Sequence, residues 1–199
     1  MSEHYYSANP TSGHHYQSIS IELRGINLKL TTDTGVFSKS KLDTGTKLLI
    51  NSVPIETGVE KILDLGCGYG PIGLMMAKLF PNATIYMSDL NERAVELAIK
   101  NAVDNGITNV KIKAGEGFEP FAGEQFDLIL TNPPIRAGKQ VIYPLMEQAH
   151  LSLRDNGWLA AVIMTKQGAK SLEKKMVDIF GNVSEWEKGS GYRVFASRK

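Results

Sequence analysis

The sequence lacks the features that stabilise secreted proteins or anchor membrane proteins. Cys67 is the only cysteine, which excludes an internal disulfide. No stretch approaches the roughly 18 consecutive apolar residues of a membrane-spanning helix. Residues 1–17 have neither the basic start nor the apolar core of a signal peptide. We therefore expect a cytoplasmic protein with no membrane partner.

A large excess of either charge is also missing, because the formal net charge is only +1. That balance neither indicates nor excludes a nucleic-acid partner. Basic residues outnumber acidic ones from Lys166 to Lys199, although a solvated surface is the simpler interpretation of this bias. Hydrophobic residues make up 42% of the 199 residues, which is enough for one sizeable core. The expected organisation is a flexible tail over residues 1–18 and one domain over residues 19–199.

Strands and helices alternate through most of the chain. The predicted strands cover residues 61–65, 84–87, 110–113, 126–130 and 158–164, and the predicted helices cover 71–80, 91–105, 142–153 and 168–180. Asn156-Gly157 is expected to close the helix over 142–153. This alternation is typical of a parallel sheet with helices on both faces. Strands at 183–187 and 192–197 flank a tight glycine turn and should pair antiparallel. The fold class is therefore α/β, with a mostly parallel seven-stranded sheet and an antiparallel C-terminal edge.

A short β extension is expected at the N-terminal end of the domain. Residues 19–30 alternate between apolar and polar side chains about Gly25, which predicts a β-hairpin or two short strands. Asp43 or Thr44 can then cap a short helix through residues 48–50.

Three alternating glycines follow the first parallel strand, in Asp64-Leu65-Gly66-Cys67-Gly68-Tyr69-Gly70. Glycine permits positive φ and lets a ligand lie close to the backbone, and the next helix offers free N–H groups at its start. Asp89, at the end of the next strand, can accept hydrogen bonds from both hydroxyls of a ribose. Glu116, after the third strand, can accept from an adenine amino group. The alternatives are a helix cap at Asp89 and a solvated carboxylate at Glu116.

The same segment also matches the dinucleotide pattern G-x-G-x-x-G from Gly68 to Gly73. We favour a methyl donor over NAD for three reasons. Gly68 comes three residues after the strand rather than at its end, Asp64 can meet the ammonium of an amino-acid-like ligand, and a second motif lies downstream. Cys67 is interpreted as a small packing residue, since no activating base lies near it in sequence.

The second motif is Asn132-Pro133-Pro134, which directly follows a strand. Two prolines fix φ twice and remove two N–H donors, and Pro133 pushes Asn132 into an extended conformation. The Asn132 side-chain oxygen and the Pro133 carbonyl can then hold both hydrogens of a planar –NH2 group and align its nitrogen for methyl transfer. A proline-rich turn that only caps the strand is the alternative.

In this order the motifs resemble those of class I, Rossmann-like S-adenosylmethionine-dependent methyltransferases that act on exocyclic amino groups. The segments Gly35-Val36-Phe37-Ser38 and Leu42-Asp43-Thr44-Gly45-Thr46 make the chain similar to the catalytic domain of the small-subunit ribosomal RNA guanine-N2 methyltransferases, in their compact single-domain type. The resemblance covers roughly residues 19–199. It implies a Rossmann-like methyltransferase fold, S-adenosylmethionine as cofactor, ribosomal RNA or the small ribosomal subunit as partner, and no metal.

The resemblance also implies roles for individual residues. Asp89 would take the ribose hydroxyls, Glu116 would lie near the adenine, and Phe37 and Thr46 would close over the methionine end. The full set expected to contact the cofactor is Phe37, Thr46, Asp64, Gly66, Cys67, Gly68, Tyr69, Gly70, Asp89, Leu90, Glu116, Gly117 and Asn132. The residues expected to hold the target amine are Asn132, Pro133, Pro134 and Ile135, and those expected to contact the substrate beyond it are Arg136 and Lys139.

Ile135 departs from the usual pattern, because many enzymes with an Asn-Pro-Pro motif continue with an aromatic residue that stacks on the target base. An aliphatic side chain makes adenine-N6 activity on flipped DNA bases less favoured. Ile135 and the β-like segment 19–30 also argue against a protein glutamine-N5 methyltransferase. A non-catalytic RNA-binding module is a further hypothesis, against which the intact Asn132 and Asp89 argue. Guanine-N2 methylation of ribosomal RNA is the leading hypothesis.

Overall fold

The computed structural model describes residues 13–36 and 40–199, without the side chain of Arg136. The elements in chain order are β1 (Gln17–Leu23), β2 (Ile26–Thr32), α1 (Thr44–Ser52), β3 (Lys61–Leu65), α2 (Pro71–Leu79), β4 (Thr84–Asp89), α3 (Glu92–Asp104), β5 (Val110–Ala114), β6 (Phe126–Thr131), α4 (Lys139–Ser152), β7 (Leu153–Met164), α5 (Ala169–Phe180), β8 (Ser184–Gly189) and β9 (Tyr192–Arg198). Short 3-10 turns lie at Glu119–Phe121, Ile135–Ala137 and Thr165–Gln167.

The main sheet has seven strands in the order β5-β4-β3-β6-β7-β9-β8. The strands from β5 to β7 pair in parallel, whereas β9 pairs antiparallel with both β7 and β8. The predicted Rossmann-like sheet with an antiparallel C-terminal edge is therefore confirmed. The chain moves outward from β3 to β5 and then returns to the other side of β3 with β6. In open sheets, ligands bind at the carboxyl ends of the strands beside such a reversal.

Alternate residues of each central strand face two separate hydrophobic clusters, one on each side of the sheet. On β3, Ile62 packs with helices α1 to α3, whereas Leu63 packs with α4 and α5. Side chains on successive strand residues point to opposite faces, so a strand buried on both faces is apolar throughout. This explains why the predicted strands appear in the sequence as short continuous apolar runs.

The N-terminal hairpin forms a separate two-stranded sheet in the described part of the chain. Arg24 and Gly25, both with positive φ, make its two-residue turn, which matches the mirror-image turns that hairpins favour. The strand β1 begins at Gln17, two residues before the start of the predicted domain, because Gln17 pairs with Thr32. Residues 1–12 of the predicted tail lie outside the described residues.

Asn101 of α3 and Asn105, the C-cap of that helix, cover the outer edge of β2. Asn101 accepts from the Thr31 N–H at 2.7 Å and donates to the carbonyl oxygens of Thr31 and Tyr69 at 2.9 Å each. One turn later, Asn105 bonds the N–H and C=O of Lys29. These side chains satisfy an exposed strand edge, and Asn101 also ties the hairpin to the loop that follows β3.

The boundary between α4 and β7 differs from the prediction. The helix was expected to reach residue 153 and to end before Asn156-Gly157, but β7 already begins at Leu153, which pairs with Phe126. Asn156 has φ 69°, and a Cβ on Gly157 would lie 3.0 Å from the Phe126 carbonyl oxygen. The pair therefore forms an irregularity inside a long strand instead of a helix terminus.

Across residues 13–36 and 40–199, the longest helices are too short or too polar to cross a lipid bilayer.

We predict that Asn101→Ala lowers the free energy of unfolding by about 2–3 kcal/mol, because it leaves the part-buried N–H and C=O of Thr31 and the buried C=O of Tyr69 unpaired. Asn105→Ala, at the C-cap of the same helix, is the matched control, and its more exposed bonds predict a loss below about 1 kcal/mol. Urea denaturation of both variants provides the measurement. Equal losses would contradict the assigned role of Asn101.

Candidate functional site

A cavity of about 920 Å³ opens at the carboxyl ends of β3, β4 and β6. The glycine loop, defined here as Gly66 to Gly70, forms one wall, and the Asn-Pro-Pro loop, residues 132–134, lies on another. The segment after β5 and the first half of α4 close the remaining sides. The two motifs singled out in the sequence therefore meet in one cavity at the predicted edge of the sheet.

The end of β4 holds the glycine loop from beneath. The N–H groups of Gly66 and Cys67 donate to the Ser88 carbonyl at 2.8 and 2.9 Å. Gly66 and Gly68 have φ values of 76° and 56°, a region that disfavours other residues. Among the described residues, apart from each glycine and its two chain neighbours, no heavy atom lies within 4 Å of the position that a Cβ would take on either glycine. The loop therefore leaves open space in which a ligand can approach the backbone.

Asp89 connects the glycine loop to the start of α3. One carboxylate oxygen accepts from the Gly68 N–H at 2.7 Å, and the other accepts from the Asn91 N–H at 2.9 Å. Asn91, not Asp89, is the N-cap of α3. Burial raises the pKa of Asp89. Each carboxylate oxygen can accept a second hydrogen bond, so Asp89 can also bind a ligand at the cavity wall, which it lines.

Asp64 lies beneath the glycine loop and does not line the cavity. One of its oxygens accepts from the Gly73 N–H at 2.8 Å, and the other is buried and has no hydrogen-bond partner among the described residues. Removal from water raises the pKa of this carboxyl to about 7. Gly70 also lies behind the wall, because its backbone begins α2 as the N-cap. These two residues were expected at the ligand itself but support the loop from behind.

Cys67 and Tyr69 line the cavity from buried positions. Burial raises the pKa of the Cys67 thiol well above its usual range, so the thiolate that a nucleophile requires is disfavoured. This agrees with the interpretation of Cys67 as a packing residue. The Tyr69 hydroxyl also has a raised pKa because of burial, and its carbonyl oxygen accepts the Asn101 bond described above.

The Asn-Pro-Pro loop is fixed at both ends. Before it, the Thr131 hydroxyl donates to the Leu65 carbonyl at 2.9 Å, which joins the ends of β6 and β3. After it, the Ile135 N–H donates to the Pro133 carbonyl at 2.8 Å in a γ-turn centred on Pro134, just before the 3-10 turn at Ile135–Ala137. A carbonyl oxygen has two lone pairs, so Pro133 retains one for a further donor.

The Asn132 side chain makes contacts that the sequence did not reveal. Its Nδ2 donates to Asp43 Oδ2 at 3.1 Å and to Thr46 Oγ1 at 3.0 Å. Asp43 was predicted only as a helix cap, and it does cap α1 by accepting from the Thr46 N–H at 2.9 Å. Asp43, Thr46 and Asn132 all line the cavity.

The walls contributed by β4, β5 and α4 include both predicted and missed residues. Leu90, Glu116 and Gly117, which were expected to contact the cofactor, line the cavity, and Glu116 is exposed there. The missed residues on α4 share one face at helical spacing: Gln140, Val141, Pro144, Leu145 and Gln148. Helical spacing places them on one face, but the sequence does not show that this face borders a cavity. Ile142 and Met146 are among the buried residues of the helix.

Some predicted residues lie away from the wall or outside the description. Pro134 lines the cavity, whereas Ile135 and Lys139 do not. Ile135 packs against the hydrophobic cluster beneath α4, and Lys139 is exposed at the first position of α4. The Arg136 side chain and the whole of Phe37 lie outside the described residues.

The described parts of the chain hold no group of three or more His, Cys, Asp or Glu side chains that could bind a metal ion.

We predict that Asp64 makes the stability of the ligand-free protein depend on pH. Its folded-state pKa of about 7 exceeds the ordinary value of 3.8, so the folded state holds the proton more tightly than the unfolded state. Stability should therefore fall as pH rises from about 4 to about 7, by an amount on the order of 4 kcal/mol. Asp64→Asn should remove this component while keeping an acceptor for Gly73. Denaturation of both proteins from pH 4.5 to pH 8 provides the test, and parallel stability curves would contradict the prediction.

Comparisons with known proteins agree with this geometry. A family model described as the methyltransferase small domain matches residues 27–196. A Bacillus subtilis protein, described as uncharacterized protein YbxB, is 47% identical over 200 residues, and the match covers all of both chains. Ribosomal RNA small subunit methyltransferase C of Haemophilus influenzae is 40% identical over 152 residues, which cover 74% of this chain and 44% of the relative. The chain thus spans less than half of that relative.

Solved structures show the same fold. A 16S rRNA N2 methyltransferase from T. thermophilus, solved with AdoMet and guanosine, superposes with a TM-score of 0.81 at 24% identity, over 96% of this chain and 52% of that one. A methyltransferase from Pyrococcus furiosus gives a TM-score of 0.62 at 21% identity, over 71% of this chain and 76% of that one. The family match spans most of the chain and includes both motif loops, and the chain therefore belongs to the methyltransferase small domain family.

Proposed function

We propose that this protein transfers a methyl group from S-adenosylmethionine to the exocyclic N2 amino group of guanine in ribosomal RNA. The observation that carries the proposal is that Asn132 and Pro133, which together offer two acceptor oxygens, line the same cavity as the glycine loop. A binding module or a nicotinamide enzyme has no need of two fixed acceptors at that place. An rRNA substrate would also place the enzyme in the cytoplasm.

The residues around the glycine loop fit this cofactor. The open space beside Gly66 and Gly68 accommodates a ligand that lies against the backbone. The remaining lone pairs of Asp89 suit two ribose hydroxyls, and Glu116 at the exposed end suits an adenine amino group. A volume of about 920 Å³ lies near the upper end of the usual range of about 300–1,000 Å³ for ligand sites. It therefore has room for the cofactor and for part of a second substrate.

The Asn-Pro-Pro loop supplies the chemistry on the acceptor side. S-adenosylmethionine, when bound, supplies an electrophilic methyl group. Asn132 Oδ1 and the free lone pair of the Pro133 carbonyl accept the two hydrogens of a planar amine and so orient its nitrogen. The same oxygens stabilise positive charge that develops on that nitrogen. No strong base is needed, and burial keeps the Cys67 thiol protonated and unreactive.

Relatives support RNA as the substrate. The Haemophilus relative is described as a ribosomal RNA methyltransferase, and the Thermus structure contains guanosine. Lys139 is exposed at the start of α4, immediately after the Asn-Pro-Pro loop and its 3-10 turn. Arg136 lies within that turn. We infer that these cations contact RNA phosphates next to the target nucleotide.

The acceptor can be identified by incubating the protein with labelled S-adenosylmethionine and, in parallel, small ribosomal subunits, protein-free 16S rRNA and a release factor. The expected product is N2-methylguanosine, detected after nuclease digestion and chromatography. Label only in the release factor would replace the RNA proposal by glutamine methylation. RNA binding by the wild type without any transfer would favour a non-catalytic module.

We predict that substitutions on the two sides of the cavity affect different quantities, kcat on the Asn132 side and cofactor affinity on the Asp89 side. Asn132→Ala should lower kcat at least about 100-fold, because it removes a fixed acceptor, and should leave the Kd for S-adenosylmethionine unchanged. Asp89→Ala is the matched cofactor-side variant, and it should weaken cofactor binding by about 10- to 100-fold through the loss of two hydrogen bonds. Calorimetry and initial rates separate the two effects. Normal turnover in Asn132→Ala would refute the proposed mechanism.

A further inference from the structure

The side-chain amide of Asn132 has two ends of different chemistry, and only one of them can hold an amine. The oxygen accepts hydrogen bonds, whereas the –NH2 end donates them. Rotation of the amide by a half turn exchanges the two ends with little change in shape. The proposed function therefore depends on something that prevents this exchange.

Asp43 and Thr46 occupy both donors of Asn132 Nδ2, at 3.1 and 3.0 Å. An ionised carboxylate is acceptor-only. A reversed amide would therefore place its oxygen against the Asp43 oxygen and would lose a charge-assisted hydrogen bond. These two contacts fix the side-chain nitrogen toward α1, so Oδ1 is the end left for a bound amine.

Asp43 is itself held in place by three structural features. Its Oδ2 caps α1 through the Thr46 N–H, and α1 packs against β7, β8 and β9. Tyr192, the first residue of β9, places its hydroxyl 3.5 Å from Asp43 Oδ1. A Cβ on Gly45 would lie 2.8 Å from the Tyr192 ring, so glycine at position 45 permits this close approach.

We propose that Asp43 is a positioning residue for methyl transfer, which holds the Asn132 side-chain oxygen toward the acceptor amine. Thr46 completes the arrangement by accepting the second N–H of Asn132. The Asp43 carboxylate thereby joins the start of α1 to the Asn-Pro-Pro loop, although Asp43 and Asn132 lie 89 positions apart in the chain. This inference rests on the proposed role of Asn132.

Two substitutions separate positioning from simple stabilisation of α1. Serine is as good an N-cap as aspartate, but it is too short to cap Thr46 and also reach Asn132. Asp43→Ser should therefore preserve thermal stability and the Kd for S-adenosylmethionine while lowering kcat by about 30- to 100-fold through misorientation of the acceptor. Asp43→Asn keeps an oxygen that can accept from both donors, so it should lose less than about 10-fold.

A double-mutant cycle tests whether Asp43 acts through Asn132. In an Asn132→Ala background, Asp43→Ser should have no further effect on kcat, because the group that it positions is absent. Independent effects that multiply would overturn the proposal. Equal losses in Asp43→Ser and Asp43→Asn, or a wild-type kcat in Asp43→Ser, would also overturn it.

A measurement without substrate tests the same contact if the acceptor proves not to be RNA. The side-chain –NH2 resonances of Asn132, assigned by their absence in Asn132→Ala, should exchange slowly with solvent in the wild type and in Asp43→Asn. In Asp43→Ser they should exchange at the rate of an exposed asparagine. Fast exchange in the wild type would refute the positioning role, whereas failure to methylate RNA would refute only the proposed substrate.

Discussion

The reversal of strand order at β3 is the constraint on which the site depends. Because β4 and β6 flank β3 in parallel, the segments that follow these three strands must emerge at the same edge of the sheet. The glycine loop and Asn132 come from the segments after β3 and β6, and Asp89 is the last residue of β4. A ligand-binding residue at the carboxyl end of each strand therefore needs no long loop to reach the cavity.

The glycine loop is shaped mainly by its neighbours. Ser88 and Asp89 accept three of its N–H groups, and Asn101 binds the Tyr69 carbonyl. Since Asn101 also pairs with β2, the N-terminal hairpin supports the loop through a single side chain. The hairpin thus helps to hold the glycine loop in place, although it belongs to a separate sheet. The opposite wall is built similarly, because the cap of α1 holds Asn132.

The sequence was sufficient to predict the features that depend on short segments of the chain. Alternation of elements predicted the seven-stranded sheet, and the glycine and Asn-Pro-Pro motifs predicted which strand ends would meet. Contacts between distant segments were missed. The sequence shows that Asp43 can cap a helix, but it does not show that the same carboxylate also accepts from Asn132. Asn156-Gly157 was interpreted as a helix terminus, but the same dipeptide also suits an irregularity within a strand. The pairing of Leu153 with Phe126, which sequence does not reveal, places the dipeptide inside β7.

A crystal structure with a non-reactive S-adenosylmethionine analogue and guanosine tests the central claim most directly, since it locates both ligands against the same residues. The account predicts ribose hydroxyls at Asp89, and a guanine amino group that donates to Asn132 Oδ1 and the Pro133 carbonyl while Nδ2 stays on Asp43. An analogue bound away from the glycine loop, or an amino group that faces Asn132 Nδ2, would contradict it.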